Sequence, residues 1–315
     1  MSASVAVIDI GSNSIKILVA QRTSEGQLAS LKMKTLDARI SAGISHAQPR
    51  LSDEGMARGL AAIQELLQDA APFQPAPIQL VATSAVRDAA NGKEFIERVK
   101  AETGHSIRLL SGNEEANTIG RGLTCDPALK GLRDFYLFDL GGGSLECLSF
   151  RDRTIVQAVS LPLGCVRLTE RCITDPALPY KPEEHQQIVD TAQKTIAASG
   201  FHFNLPPHAV AIGTGGTVTT ARAILAARRG KTLETSDTIL TLAELRELLA
   251  YCGRCSLEDR RRIPAMPAAR ADVLPAALAT VIAIAELGGI EAYRHSLYNL
   301  RWGLADELLP EPPPR

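Results

Sequence analysis

An apolar strand that ends on an aspartate and runs straight into a glycine turn occurs twice in this chain, and the duplication limits the folds open to it. The first copy is Val5 to Ile10, closing on Asp9-Ile10-Gly11-Ser12-Asn13-Ser14. The second is Phe135 to Phe138, closing on Asp139-Leu140-Gly141-Gly142-Gly143-Ser144-Leu145-Glu146. After the first copy, Ile15 to Arg22 and Gln27 to Thr35 alternate as strands around a Ser24-Glu25-Gly26 turn. Ser52 then opens a helical pattern (Met56, Leu60, Ile63, Leu67) that Pro72, Pro75 and Pro77 close. Ile78 to Ala82 reads as a buried strand, a helix follows to about Ala101, and Ile107 to Leu110 is a further strand. After the second copy come strands at Leu145 to Phe150 and Thr154 to Leu161, a helix at about Pro182 to Ser199, a strand at Ala209 to Ile212 and a helix at Val218 to Arg229. Two copies of one topology imply two α/β domains with mixed sheets and helices on both faces, their Asp-Gly turns facing each other across a cleft.

The turn chemistry points to phosphate, against the plainer alternative that each glycine run is a tight structural turn. Glycine takes positive φ and has no Cβ, so a ligand can approach the backbone closely, and successive N–H groups in such a turn make a concave anion site. In the first copy the hydroxyls of Ser12 and Ser14 and the amide of Asn13 add polar groups. In the second, Asp139 and Glu146 flank the glycines, a carboxylate pair suited to a hard cation such as Mg²⁺ that rides on phosphate. Gly213-Thr214-Gly215-Gly216-Thr217 is a strand-to-helix turn whose free N–H groups face an anion. It lacks the lysine of a P-loop and the spacing of a dinucleotide fold. Thr83-Ser84-Ala85-Val86-Arg87 follows a strand end, where open α/β sheets bind ligands, and the Arg87 guanidinium matches phosphate oxygens. Arg39, Arg167 and Arg270 are further arginines of this kind, each read on its own as structural. Ser111 and Glu114 have capping-box spacing, which accounts for Glu114 through the helix start alone. Glu115 is left over. It is a candidate general base for water, against the plainer alternative of a solvated acidic first turn.

Bulk properties exclude several classes. The 315 residues suffice for two domains, and a net charge of −1 excludes a broad basic nucleic-acid surface. Six cysteines without a regular framework fit a reducing compartment. No basic segment or cleavage site precedes the first strand, so no signal peptide is read. Val273 to Ala285 is too short and Ala-rich to span a bilayer and reads as a buried helix. The expectation is a cytoplasmic protein without nucleic-acid or membrane partners. Cys252-Gly253-Arg254-Cys255 has no second pair for zinc. Cys147 with Arg153, and Cys165 with Arg171, lack the glycines of a cysteine phosphatase loop. Arg260-Arg261-Arg262 reads as a solvated helix end.

Together these motifs resemble the exopolyphosphatase/guanosine pentaphosphate phosphatase (Ppx/GppA) family of the actin-like ATPase superfamily. The resemblance is carried by Val7 to Ser14, Arg39 to Ile44, Ala82 to Arg87 with Asn91, Ser111 to Ala116, Asp139 to Glu146, Leu163 to Glu170 and Gly213 to Thr217. Ala277 and Asn299 stand where the family has glycines. It implies the short two-domain form: two actin-like (RNase H-like) α/β domains with mixed five-stranded sheets flanked by helices, over residues 1–118 and 119–299. A C-terminal helix at about 300–315 returns to the first, and the active site lies in the interdomain cleft. The implied reaction is release of terminal phosphate from inorganic polyphosphate, or alternatively from guanosine pentaphosphate. It would depend on Mg²⁺ or another divalent cation, with K⁺ as an additional candidate and a homodimer as a compatible assembly. In that frame Glu115 is the catalytic base, and Asp139, Glu146 and Asp9 form the metal side. Ser12, Asn13, Ser14, Arg87, Gly141, Gly142, Gly143, Ser144, Gly213, Gly215, Gly216 and Thr217 hold phosphate. Competing expectations are an ATP-dependent small-molecule kinase on the same fold, which needs an adenosine pocket, and a polyphosphate or alarmone sensor without turnover.

Overall fold

Every side chain of β1 (Ser4–Ile10) is buried, as in a strand covered on both faces. The computed structural model describes residues 3–207 and 209–310. They form two compact units, one made of the described residues up to Gly131 with those from Tyr298 onward, the other of Leu132–Leu297. In the first unit β2 (Ile15–Arg22) and β3 (Leu28–Leu36) follow β1 antiparallel, while β4 (Ile78–Ala82) and β5 (Ile107–Leu109) run parallel to it. The order is β3-β2-β1-β4-β5, the RNase H-like arrangement that the resemblance implied. Helix α1 (Asp53–Ala70) is opened by Ser52, whose hydroxyl accepts the Gly55 N–H at 3.0 Å. Two helices, α2 (Ser84–Arg87) and α3 (Gly92–Thr103), occupy the stretch expected as one. Helix α4 (Gly112–Thr124) starts at the foreseen capping box: Ser111 Oγ accepts the Glu114 N–H at 3.2 Å, and Glu114 Oε2 accepts the Ser111 N–H at 2.8 Å. Ile8, Ile17, Ile63, Phe95 and Val99 belong to one buried cluster between sheet and helices. The Phe95 ring sits where a Cβ on Gly59 would come within 3.0 Å. Truncating such a ring to alanine costs about 3–5 kcal/mol.

The order then begins again. An antiparallel meander of β6 (Phe135–Leu140), β7 (Leu145–Arg151) and β8 (Thr154–Leu161) leads through α5 (Cys165–Cys172) and α6 (Pro182–Ala198) to β9 (Val210–Thr214), parallel to β6. Next come α7 (Gly215–Arg228), β10 (Ile239–Thr241), α8 (Leu242–Arg254), α9 (Leu257–Arg261) and α10 (Leu274–Gly288). Strand β11 (Ala292–His295) closes the unit, parallel to β9. The sheet order is β10-β11-β9-β6-β7-β8. Its frame β8-β7-β6-β9-β11 repeats the first sheet, but the expectation of five strands is corrected to six. The addition, β10, pairs antiparallel with β11 and covers an edge of unpaired backbone groups. Three residues are too few to show a periodic signal.

Aromatic side chains fill much of this core. Phe135 stacks on Phe150 at 4.3 Å, and Phe138 meets Phe201, Phe203 and Tyr293 at 6.1–6.2 Å between ring centres. Helix α10 is buried from Leu274 to Ala285, as its Ala-rich run implied. Among the described residues no helix is long and apolar enough to cross a membrane. Arg260 departs from the solvated helix end expected for it. It is 1% exposed and donates to the carbonyls of Pro176, Leu178 and Ala271 at 2.9, 2.7 and 3.0 Å. Buried loop carbonyls need donors, and this guanidinium supplies them.

Helix α11 (Leu300–Leu308) belongs to the first unit and packs on α4, β1 and β2. Gly122 of α4 lies so close to it that an added Cβ would stand 2.8 Å from the Gly303 nitrogen, and one on Gly303 would overlap the Thr118 carbonyl. Arg301 Nη1 donates to the Ile17 carbonyl at 2.9 Å. The part of the expected helix over 311–315 lies outside the described residues.

Candidate active site

Parallel register gathers the functional segments of the first unit at one end of its sheet. Ile10 pairs with Ala82 and Ala82 with Leu109, so the segments after β1, β4 and β5 leave together at the strand carboxyl ends, where such sheets bind ligands. The β1–β2 turn is closed by the Gly11 N–H donating to the Ser14 carbonyl at 3.2 Å. From behind, the Arg39 N–H donates to the Asn13 carbonyl at 3.0 Å, and Ser41 Oγ donates to the Ser12 carbonyl at 3.1 Å. A planar trans peptide points its N–H opposite its C=O. Holding these carbonyls therefore turns the N–H groups of Asn13 and Ser14 to the other side. Arg39, at a positive φ of 37°, also donates from Nε to Asn13 Oδ1 at 3.0 Å.

A hydroxyl contact joins this turn to its neighbours. Ser12 Oγ lies 3.3 Å from Ser84 Oγ at the start of α2. At the other end of α2, Arg87 Nη1 donates to Glu115 Oε2 at 2.9 Å and to the Leu110 carbonyl at 3.0 Å. Glu115 is 5% exposed, whereas Glu114 is spent on the cap. The solvated-turn alternative for Glu115 is thereby removed. Asp9 faces Lys16 across the strands; burial raises its carboxyl pKa, against Lys16 and Arg301.

The second unit repeats the device. The Gly141 N–H donates to the Ser144 carbonyl at 3.0 Å. The N–H groups of Cys165 and Val166, the first residues of α5, donate to the Gly141 and Gly142 carbonyls at 3.0 and 2.8 Å, and Arg167 Nε donates to the Gly143 carbonyl at 3.0 Å. By the same peptide geometry, the N–H groups of Gly142, Gly143 and Ser144 face away from α5. Gly164 permits this approach, since a Cβ there would overlap the backbone of Gly142 and Gly143. Asp139 and Glu146 are direct cross-strand partners, 6% and 2% exposed, and Ser160 Oγ donates to Glu146 Oε1 at 2.8 Å.

Strand β9 brings the third motif alongside, with Thr214 paired to Asp139. Helix α7 starts at Gly215, earlier than the expected Val218. Gly213 and Thr214 thus finish the strand, and Gly215, Gly216 and Thr217 form a first helical turn with N–H groups that the helix leaves unbonded. At Gly215, φ is +85° and a Cβ would stand 2.5 Å from Asp139 Oδ1 and 2.9 Å from the Leu140 carbonyl. The hydroxyls of Thr214 and Thr217 are buried without a hydrogen-bond partner. Leaving them so is costly unless a ligand answers them. Arg270 lays its guanidinium against Gly216, where any Cβ would overlap it.

Residues 18–311 match the sequence model of the Ppx/GppA phosphatase family. The chain belongs to this family. Solved structures similar to it include an Aquifex aeolicus Ppx/GppA family member, 24% identical, with 98% of this chain and 97% of that one covered at a TM-score of 0.77. An exopolyphosphatase from Cytophaga hutchinsonii is 21% identical over 95% and 96% of the two chains at a TM-score of 0.83. An exopolyphosphatase-like protein is 24% identical over 96% and 97% at 0.83. These likenesses establish the fold over nearly the whole Ppx/GppA chain.

Within this Ppx/GppA member, sequence reasoning overlooked what stands behind the turns. Arg39 and Arg167, each read as structural, are the pins that orient the two turns, and Ser160 carried no motif signal. Cys252 offers little nucleophilicity: burial, then Cys255, pushes its thiol up to about 11.

Proposed function

We propose that this Ppx/GppA family member is an exopolyphosphatase that releases terminal orthophosphate from inorganic polyphosphate, with Glu115 activating water. The supporting observation is the pair of glycine turns whose carbonyls are held from behind, leaving backbone N–H groups aimed at an anion. Phosphoryl transfer calls for positioning and charge neutralisation more than for covalent chemistry. Ser12, Asn13 and Ser14 of the first unit take phosphate oxygens, as do Gly141 to Ser144 and the Gly213, Gly215, Gly216 and Thr217 turn of the second. Arg87 fixes the Glu115 carboxylate through Nη1 and offers Nη2 to phosphate. Glu115 accepts a proton from water as the water oxygen bonds to the terminal phosphorus; the phosphoanhydride bond breaks, and the shortened chain leaves with the bridging oxygen.

Asp139 and Glu146 fit Mg²⁺ in donor type and placement, being buried cross-strand partners with a glycine, Gly215, where a side chain would crowd Asp139. Among the described residues no group of three or more His, Cys, Asp or Glu side chains converges. A cation held by this pair would therefore take phosphate and water as its other ligands, a habit of Mg²⁺. When bound it neutralises charge on the phosphates.

The exopolyphosphatase name of the Cytophaga hutchinsonii structure supports polyphosphate as substrate. Guanosine pentaphosphate, which presents the same terminal phosphates, is the alternative. Phosphate release from polyphosphates of defined length and from guanosine pentaphosphate, side by side with and without Mg²⁺, tests the assignment. Faster release from polyphosphate that chelation abolishes is the expected result. Release from guanosine pentaphosphate alone overturns it.

A further inference from the structure

A buried polar chain behind α7 has no part in the chemistry above. Arg222 Nη1 lies 3.1 Å from His295 Nδ1, His295 Nε2 lies 3.0 Å from Thr219 Oγ1, and Thr219 Oγ1 donates to the Gly215 carbonyl at 2.8 Å. Its hydrogen directions can be worked out from the ends. A guanidinium only donates, so His295 Nδ1 accepts from Arg222. Thr219 has one hydroxyl hydrogen, which goes to Gly215, so its oxygen accepts from His295 and Nε2 carries the imidazole proton.

The rest of Arg222 is committed as well: Nε donates to the Asp237 carbonyl at 2.8 Å and Nη2 to the Leu233 and Ser236 carbonyls at 2.6 and 2.8 Å. The chain ends on the first peptide of α7. The Gly215 carbonyl and the Gly216 N–H share one plane and point opposite ways.

We propose that His295 is a positioning residue, whose neutral Nε2–H form completes a one-way relay from Arg222 through Thr219 to Gly215 and so aims the Gly216 N–H at bound phosphate. The inference rests on the phosphate role proposed for this turn. Burial, then the Arg222 charge, lowers the His295 pKa to about 4, which keeps the imidazole neutral at ordinary pH. Arg222 is the charged group on the ring; Asp237 and Glu234 act on the guanidinium from the loop after α7, and Gly213 and Thr238 bond only through backbone to the β11 end.

The test uses the full chain. Nitrogen-15 NMR of histidine-labelled protein should show His295 as the Nε2–H tautomer, untitrated between about pH 8 and about pH 5. An Nδ1–H signal, or titration near the ordinary value, overturns the relay. Thr219→Val keeps the shape and removes the bond to Gly215. Its affinity for tripolyphosphate should fall about 3–10-fold, the worth of one hydrogen bond, with KM raised and kcat kept, and Tm should drop modestly because the His295 Nε2–H loses its acceptor. Unaltered affinity in a folded Thr219→Val protein overturns the positioning role. His295→Gln, whose amide can accept from Arg222 and donate to Thr219, should retain affinity that His295→Phe loses; if the latter does not fold, Thr219→Val decides. Should the unaltered protein bind no tripolyphosphate, the phosphate assignment fails by itself. The tautomer, and faster amide exchange at Gly216 in Thr219→Val, then still decide the relay.

Discussion

Glu114 and Glu115 are neighbours of one chemical kind, yet one closes a helix and the other is buried against Arg87. Glu115→Gln should therefore lower kcat about 10²–10⁴-fold while substrate still binds, as loss of a positioned base does; steady-state kinetics with polyphosphate check this, and near-normal turnover refutes it. Gly215→Ala should be damaging for a backbone reason. A side chain there meets both a left-handed φ and Asp139, so a loss of about 1–3 kcal/mol in urea unfolding should accompany weakened Mg²⁺ dependence. His295 gives a pH signature. Its pKa falls from 6.5 in the unfolded chain to about 4 in the fold, so the unfolded state alone gains the proton as pH drops. Stability should decline by about 3 kcal/mol between those values. His295→Gln should flatten that slope in a series of urea midpoints.

At the scale of elements, the contact of α4 with α11 depends on missing side chains at Gly122 and Gly303. Gly303→Ala should lower stability by about 1–3 kcal/mol, visible as a reduced Tm, while Gly104→Ala, with open space around its Cβ position but φ of 75°, meets only local strain. Strands buried on both faces, such as β1 and β6, were legible because their apolar runs are continuous up to the aspartate. Helix α5 was not: it has eight residues, and its start is held by N–H groups that donate to the Gly141 and Gly142 carbonyls, remote in sequence. The split between α2 and α3 escaped notice too, since it comes from tertiary packing: the Asn91 side chain bonds both backbone groups of Leu51, and Gly92 lies against the Val86 carbonyl. Capping at Ser111 was readable because its chemistry is local. Pinning of the turns by Arg39 and Arg167 was not, because it joins residues remote in sequence.

For the whole molecule, duplication was the most legible property, since it needs only order and spacing; the extra edge strand β10 lay below that resolution. Two units with separate cores should not unfold as one. Trp302 is the only tryptophan, 4% exposed and stacked on Tyr298 at 4.1 Å in the first unit. Its fluorescence should follow that unit alone, and its denaturant midpoint should differ from that of far-ultraviolet circular dichroism, which senses both. Coincident curves would show a single cooperative transition. The return of α11 to the first unit also sets an order of assembly during translation. Domains usually fold from the amino terminus forward as they leave the ribosome. Here the second unit is one continuous segment, whereas β1 and α4 lack their covering helix until that segment has been made. The earlier-made half is thus the later to be finished, and until then its nascent form is the one exposed to chaperones.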